Sequence, residues 1–349
     1  MKRKKIKLIF FINAYSDYLG DFISSIKFLF DIKVILINLN TKNTYYKNLT
    51  DKEIYNTKCD YNVIKEFKKY DPDFVIIGGY RHKFVSELIN ICTEKNIKYL
   101  FWMERINLNF YLKSLLFKIF YKNRLKNSDG ILAIGNQAVK FFRKFNNNTY
   151  LFPYNIDVKQ FKKSKLQNKI KLLYIGQLIP RKGIISILNS FNFLEESILE
   201  NIECTFVGNG SLKKKIFDKI KEHSFIKLVN FKSRKELIKI YSQNNILLFP
   251  SKYDGWGVVP MEAMSSKMTL IISKNCGIAE YLTNKKNAVM VNPNPKDISK
   301  AIRYYFYNQS KIDIHGENNL KLIKKSLMNS KNSSKLFFSI INKLNSNEK

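Results

Sequence analysis

The chain has 349 residues, with 61 Lys and Arg against 28 Asp and Glu, a formal net charge of +33 and 45% hydrophobic residues. That length is more than one domain usually holds and enough for two, each with its own core, and the hydrophobic fraction is that of a globular protein. Its four cysteines, Cys59, Cys92, Cys204 and Cys276, and its three histidines are scattered, which excludes a disulfide framework, a zinc cluster and a His-rich metal site.

The chain opens on Met1-Lys2-Arg3-Lys4-Lys5, and the apolar run that follows ends at Asn13, too short for a secretory signal. No run approaches the roughly eighteen consecutive apolar residues that span a bilayer, so a cytoplasmic chain is expected. Apolar runs at Lys7–Ile12, Lys33–Leu39, Phe74–Ile77, Tyr99–Trp102 and Ile131–Ile134 recur between helical stretches and predict strands. Strands alternating with helices imply an α/β fold with a doubly wound parallel sheet. Gly78-Gly79-Tyr80-Arg81-His82 follows the third run as a turn, where His82 could bond a sugar hydroxyl or stay a surface histidine. Arg105 to Ser128 then holds six Lys or Arg and no acid among aromatics such as Phe110, Tyr111, Phe117 and Phe120. Such a segment can lie on an anionic membrane surface, here the inner face of the cytoplasmic membrane, or pack as an amphipathic helix with solvated lysines.

The pattern breaks between Phe152-Pro153-Tyr154 and Asn168, where Pro and a polar stretch mark a domain boundary. The expected division is 1–160, 161–316 and a helical tail at 317–349. Past the boundary, the apolar run Leu172–Ile175 leads into Gly176-Gln177-Leu178-Ile179-Pro180-Arg181-Lys182-Gly183 and a helical pattern. Cations fixed on such a loop, Arg181 and Lys182, can neutralise a diphosphate leaving group. A second strand, Cys204–Val207, runs into Gly208-Asn209-Gly210, a weak signal by itself. The most informative stretch is Phe249 to Met264, where Asp254 and Glu262 stand eight positions apart across Gly255-Trp256-Gly257. One carboxylate falls on the loop and the other in the first helical turn, and each can take two hydroxyl donors at once. The helix N-terminus beside them adds N–H donors and a positive dipole end that favour a diphosphate. These residues point to a nucleotide-sugar site, and no Asp-x-Asp pair stands in a plausible strand-end loop to hold a divalent ion under the diphosphate.

The Asp254 to Glu262 stretch resembles the acidic-x7-Glu motif of retaining family-4 glycosyltransferases with the GT-B fold, of the bacterial surface-polysaccharide type. Gly176 to Gly183 is similar to that family's phosphate loop, and the order of motifs matches over roughly residues 170 to 310. The resemblance implies two Rossmann-like domains facing across a cleft, the first on the acceptor side. It gives Asp254 the transferred sugar, Glu262 the ribose and Lys182 the diphosphate, with Gly176, Gln177, Arg181, Gly208, Gly210, Gly255, Trp256 and Gly257 completing the donor site. Gln177 stands where many members carry a second phosphate-binding Arg, and Glu104 where many place a sugar-contacting His. Near Tyr15 to Asp21, where the family often has paired glycines, this chain has only Gly20. After Glu262, Lys267 and Thr269 replace the usual Gly-x-Pro. A C-terminal helix crossing back to the first domain is also implied.

The implied activity is a metal-independent hexosyltransferase without cofactor, moving a sugar from a nucleoside-diphosphate donor to a growing glycan. The acceptor would be a lipid-linked glycan of lipopolysaccharide, capsule or exopolysaccharide synthesis. A GT-B nucleotide-sugar epimerase or hydrolase is one alternative, and a basic nucleic-acid-binding protein another. The charge of +33 makes a field strong enough for nucleic acid. Its lysines, however, are spread along the whole chain, without zinc-finger spacing, an RNP aromatic signature or a helix-turn-helix. Nucleic acid is therefore not an expected partner, and a composition biased towards Lys, Asn and Ile inflates the charge.

Overall fold

The computed structural model describes residues 5–13, 16–36, 54–56, 60–78, 84–104, 121–163 and 169–346. His82 and positions 105–120 lie outside these ranges. Contacts group the chain into two compact units, Met1–Asp157 with Ser330–Lys349, and Val158–Asn329.

The first unit is built on seven parallel strands: β1 (Lys7–Ile12), β2 (Asp31–Leu36), β3 (Ile54–Asn56), β4 (Phe74–Ile77), β5 (Lys98–Glu104), β6 (Gly130–Ile134) and β7 (Thr149–Leu151). They stand in the order β3-β2-β1-β4-β5-β6-β7. Strands such as Phe-Val-Ile-Ile in β4 show no polar alternation because helices cover both faces of a parallel sheet, and all four of these residues are buried. The short edge strands β3 and β7 have three residues each, too few to stand out as apolar runs. The helix Ser330–Ser346 belongs to this unit and packs on the helix Asp17–Ile26. Phe337 is its anchor, fully buried with ring centroids 5.2 Å from Phe22, 5.7 Å from Phe30 and 5.8 Å from Phe152.

The second unit repeats the winding with six strands: β8 (Ile170–Ile175), β9 (Ile202–Val207), β10 (Ile226–Val229), β11 (Ile246–Phe249), β12 (Thr269–Ser273) and β13 (Ala288–Val291). Their order is β10-β9-β8-β11-β12-β13. In each unit the chain winds outward from one strand to one side and then jumps back to start the other side. The carboxyl ends of β8 and β11 therefore border a topological switch point, the place where doubly wound sheets bind ligands.

The turn that departs from the family pattern has a packing role. Lys267 takes a left-handed φ of 63°, and its Nζ lies 3.3 Å from Asp313 and 3.2 Å from Glu317 on the helix Ser310–Lys325. Thr269 Oγ1 is 3.0 Å from the Tyr305 hydroxyl, which in turn sits 2.9 Å from His315 Nδ1. These contacts bind the two last helices of the unit to the start of β12.

The helix Pro295–Tyr307 carries a side-chain cap at its start. Asn294 accepts from the Asp297 backbone N–H at 2.9 Å, with Pro295 as the first helical residue. Asn294→Ala is expected to lower the stability of this unit by about 1 kcal/mol, and Asn294→Gly by only a few tenths. Urea unfolding followed by far-UV circular dichroism measures both, and equal losses would contradict the cap. Among the described residues no helix is long and apolar enough to cross a membrane.

Candidate functional site

Four strand ends of the second unit converge on the switch point. After β8 the chain turns through Gly176 to Ile179 into a short 3-10 turn, Pro180–Lys182, and enters the helix Ile184–Phe191 at Gly183. Gly183 has φ 78°, and a Cβ there would fall on the Pro250 carbonyl. Only glycine lets this loop meet the end of β11 so closely. The Lys252 N–H donates to the Arg181 carbonyl at 2.8 Å, which ties the two loops together.

This contact brings the charged residues face to face. Lys182 Nζ donates to Asp254 Oδ2 at 2.5 Å, both side chains about one-seventh exposed (15% and 14%). The same ammonium lies 5.3 Å from the Phe249 ring centroid. Arg181 is 4.0 Å from Asp254 and donates to the Tyr253 carbonyl at 2.6 Å. Beneath them the Tyr174 hydroxyl donates to the Gln177 carbonyl at 2.9 Å. Burial first, and the Asp254 charge second, push the Tyr174 phenol well above its ordinary pKa, so it stays a fixed donor that shapes the loop. Gln177 is exposed.

The loop after β9 packs against this one. Leu178 N–H donates to the Asn209 carbonyl at 2.9 Å, and Leu212 N–H donates back to the Leu178 carbonyl at 2.9 Å. Gly208 and Gly210 permit the approach, since side chains there would strike the backbone of Gly176 and Leu178. Gly208 is buried and Gly210 exposed.

After β11, Gly255 and Gly257 flank Trp256, which is 1% exposed. Its indole N–H points at Met261 Sδ at 3.0 Å, and its ring meets Tyr281 edge-on at 5.6 Å. The Trp256 side chain thus packs inside the unit and holds the loop. The helix Val258–Ser265 has no acid in its first turn. Glu262 is its fifth residue and opens the second turn, because Gly257 rather than an earlier residue starts the helix. Glu262 is 8% exposed, and its Oε2 accepts from the Tyr241 hydroxyl at 2.7 Å. The loop after β12 supports the arrangement from the far side: Gly277 N–H donates to the Asp254 carbonyl at 3.1 Å, and Ile278 N–H to that of Trp256 at 2.8 Å.

Tyr241 and the loop Asn275–Gly277 escape sequence reasoning. A tyrosine on an amphipathic helix reads as core, and nothing in its spacing from Glu262 marks the pair.

In the first unit Glu104 ends β5. It stands with Tyr154 and Tyr18, whose rings are 4.3 Å apart. Tyr154 is hydrogen-bonded to both Glu104 and Tyr18, and burial first, then those neighbours, hold its phenol well above the ordinary value. Carboxylate, phenols and aromatic faces together suit sugar hydroxyls and ring C–H groups. Gly20 lies buried in the helix Asp17–Ile26, and Gly78 N–H donates to the Phe11 carbonyl at 2.9 Å. Of the basic segment, only 121–128 is described: Leu125 is buried, Lys122 and Lys126 are exposed, and Arg124 donates to Ser86 Oγ at 2.7 Å. Among the described residues no three His, Cys, Asp or Glu side chains group as metal ligands would.

Residues 155–324, the stretch that carries this site, match the family described as Glycosyl transferases group 1. An uncharacterized glycosyltransferase of Methanocaldococcus jannaschii is 24% identical over 60% of this chain and 58% of its own length. The Staphylococcus aureus capsular polysaccharide biosynthesis glycosyltransferase CapM is 24% identical over 66% of this chain and 62% of its own. The chain thus aligns with little more than half of these relatives. The crystal structure of Anabaena HepE in complex with UDP and glucose shares the fold, with TM-score 0.78 at 12% identity over 97% of this chain and all of that one. The architecture is the GT-B fold of two doubly wound parallel sheets.

Proposed function

We propose that the chain is a retaining, metal-independent glycosyltransferase that moves a hexosyl group from a nucleoside-diphosphate sugar to a growing, lipid-linked surface glycan. The observation that carries this reading is the Lys182–Asp254 pair at the switch point, with Glu262 on the helix that follows. HepE's bound UDP and glucose and CapM's role in capsule synthesis support it by analogy.

The chemistry follows from the charges. A diphosphate entering the loop competes with Asp254 for the Lys182 ammonium, with the Arg181 guanidinium beside it. Asp254, relieved of its partner, accepts from hydroxyls of the transferred sugar, and Glu262 accepts from the ribose. As the bond from the anomeric carbon to the diphosphate breaks, the bonding pair leaves on the phosphate oxygen, whose charge Lys182 stabilises. The acceptor oxygen bonds to that carbon and passes its proton to the departing phosphate oxygen. Glu104 and the Tyr18–Tyr154 pair belong to the acceptor side in this reading, and so does His82.

Incubation of the full chain with sugar nucleotides and a lipid-linked acceptor tests the proposal: free nucleoside diphosphate and elongated glycan should appear together. Sugar isomerisation or diphosphate release without acceptor would instead indicate an epimerase or hydrolase.

The basic segment Arg105 to Ser128 is assigned to the anionic membrane surface that would hold such an acceptor. Each cation near that surface contributes on the order of 1 kcal/mol. Replacing Lys113, Lys118 and Lys122 with Gln is therefore expected to weaken binding to phosphatidylglycerol-containing liposomes and leave nucleotide affinity unchanged. The control carries Gln at Lys321, Lys324 and Lys325. Equal losses in the two triple variants would assign the attraction to total charge.

A further inference from the structure

Tyr241 lies on the helix Arg234–Ser242, is completely buried, and donates its hydroxyl to Glu262 Oε2 at 2.7 Å. The Phe161 ring meets it at 6.1 Å between centroids, and the Arg234 guanidinium lies 5.5 Å from the Phe161 ring. Glu262 thus leans on a layered stack rather than on solvent. Burial first, and the neighbouring Glu262 charge second, hold the Tyr241 phenol far above its ordinary pKa, so it donates at any working pH.

A glutamate carboxylate ends a chain of three rotatable bonds, and freezing such a side chain for a ligand costs binding energy. A bond from a rigid, buried phenol fixes one oxygen in advance. A carboxylate offers about four lone-pair directions, so one bond orients it without exhausting it. We propose that Tyr241 is a positioning residue of the donor site, which holds Glu262 in the orientation that accepts from the vicinal ribose hydroxyls of the nucleotide. This rests on the proposed ribose role of Glu262.

A purely structural role for Tyr241 would weaken every nucleotide alike, whereas a positioning role acts only through the ribose hydroxyls. The test is calorimetric titration of the full chain with UDP, GDP and ADP, each beside its 2′,3′-dideoxy form. Tyr241→Phe is expected to weaken the best-binding diphosphate about tenfold, roughly 1.4 kcal/mol, and to leave its dideoxy form within about threefold of wild type. In a Glu262→Ala background the same substitution should have no further effect. Equal losses for the hydroxylated and dideoxy forms, or no loss for either, would overturn the positioning role. If wild type binds none of the three diphosphates, the donor-site reading itself falls and takes this inference with it. A crystal structure of wild type with the bound diphosphate gives an independent check that needs no variant: Glu262 should contact the ribose while still bonded to Tyr241, and a Tyr241 turned away from it would overturn the assignment.

Discussion

Lys182→Ala is expected to lower turnover by about 10²–10³-fold, the cost of deleting one preorganised charge-stabilising group, while the chain keeps its fold. The lysine sits at the end of the Pro180–Lys182 turn, part-buried, within hydrogen-bond distance of Asp254. Negative charge on the departing diphosphate grows as the glycosidic bond breaks, so the loss should fall mainly on kcat. Ground-state donor affinity should fall less, because in the proposed site Arg181 still stands beside the phosphates. Deleting Lys182 also frees Asp254 from its ion pair, and this part-buried carboxylate then lacks its main counterion. Lys182→Arg separates the two effects: charge is kept, but the planar guanidinium does not reproduce the ammonium's position. Partial recovery in Lys182→Arg is the expected result. Turnover equal to wild type in Lys182→Ala would remove the residue from the chemistry.

For Glu262→Ala the expected loss is in binding, about 1.5–3 kcal/mol of donor affinity, the range for a hydrogen bond to a charged group. Its carboxylate is buried and engaged by Tyr241, so the substitution also leaves a buried phenol without its acceptor. Some loss of stability should accompany the loss of affinity. Comparing UDP with its dideoxy form separates them, since only the hydroxylated nucleotide loses a partner. Affinity for the intact nucleotide equal to wild type would refute the ribose assignment.

The loops of the candidate site in the second unit were legible because they are marked by short, ordered motifs. Glycines at 176, 183, 255 and 257 punctuate the strand ends, and Asp254 and Glu262 stand at fixed spacing on one loop and the helix it feeds. Strands β1, β4, β5 and β6 were legible because buried parallel strands are continuous apolar runs. What escaped reading depends on tertiary packing. The edge strands β3 and β7 are too short to form a run, and β7 is fixed mainly by its ladder to β6. Trp256 looks like a ligand contact in a glycine loop, yet it turns inward onto Met261 and Tyr281. Tyr241 and Glu262 are 21 residues apart on different helices, and neither helix announces the other. Tyr18, Glu104 and Tyr154 likewise meet only because β1, β5 and β7 end along the same edge of one sheet.

The central claim is that the switch point of the second unit binds a sugar nucleotide. Isothermal titration of the full chain with UDP-, GDP- and ADP-sugars tests it most directly, with a structureless RNA oligonucleotide as the competing ligand at two salt concentrations. Saturable binding of one sugar nucleotide, weakened in Glu262→Ala and little affected by moderate salt, is the expected result. No binding of any sugar nucleotide, together with RNA binding that falls steeply as salt rises, would contradict the account and return the chain to the nucleic-acid-binding class that its charge of +33 permits.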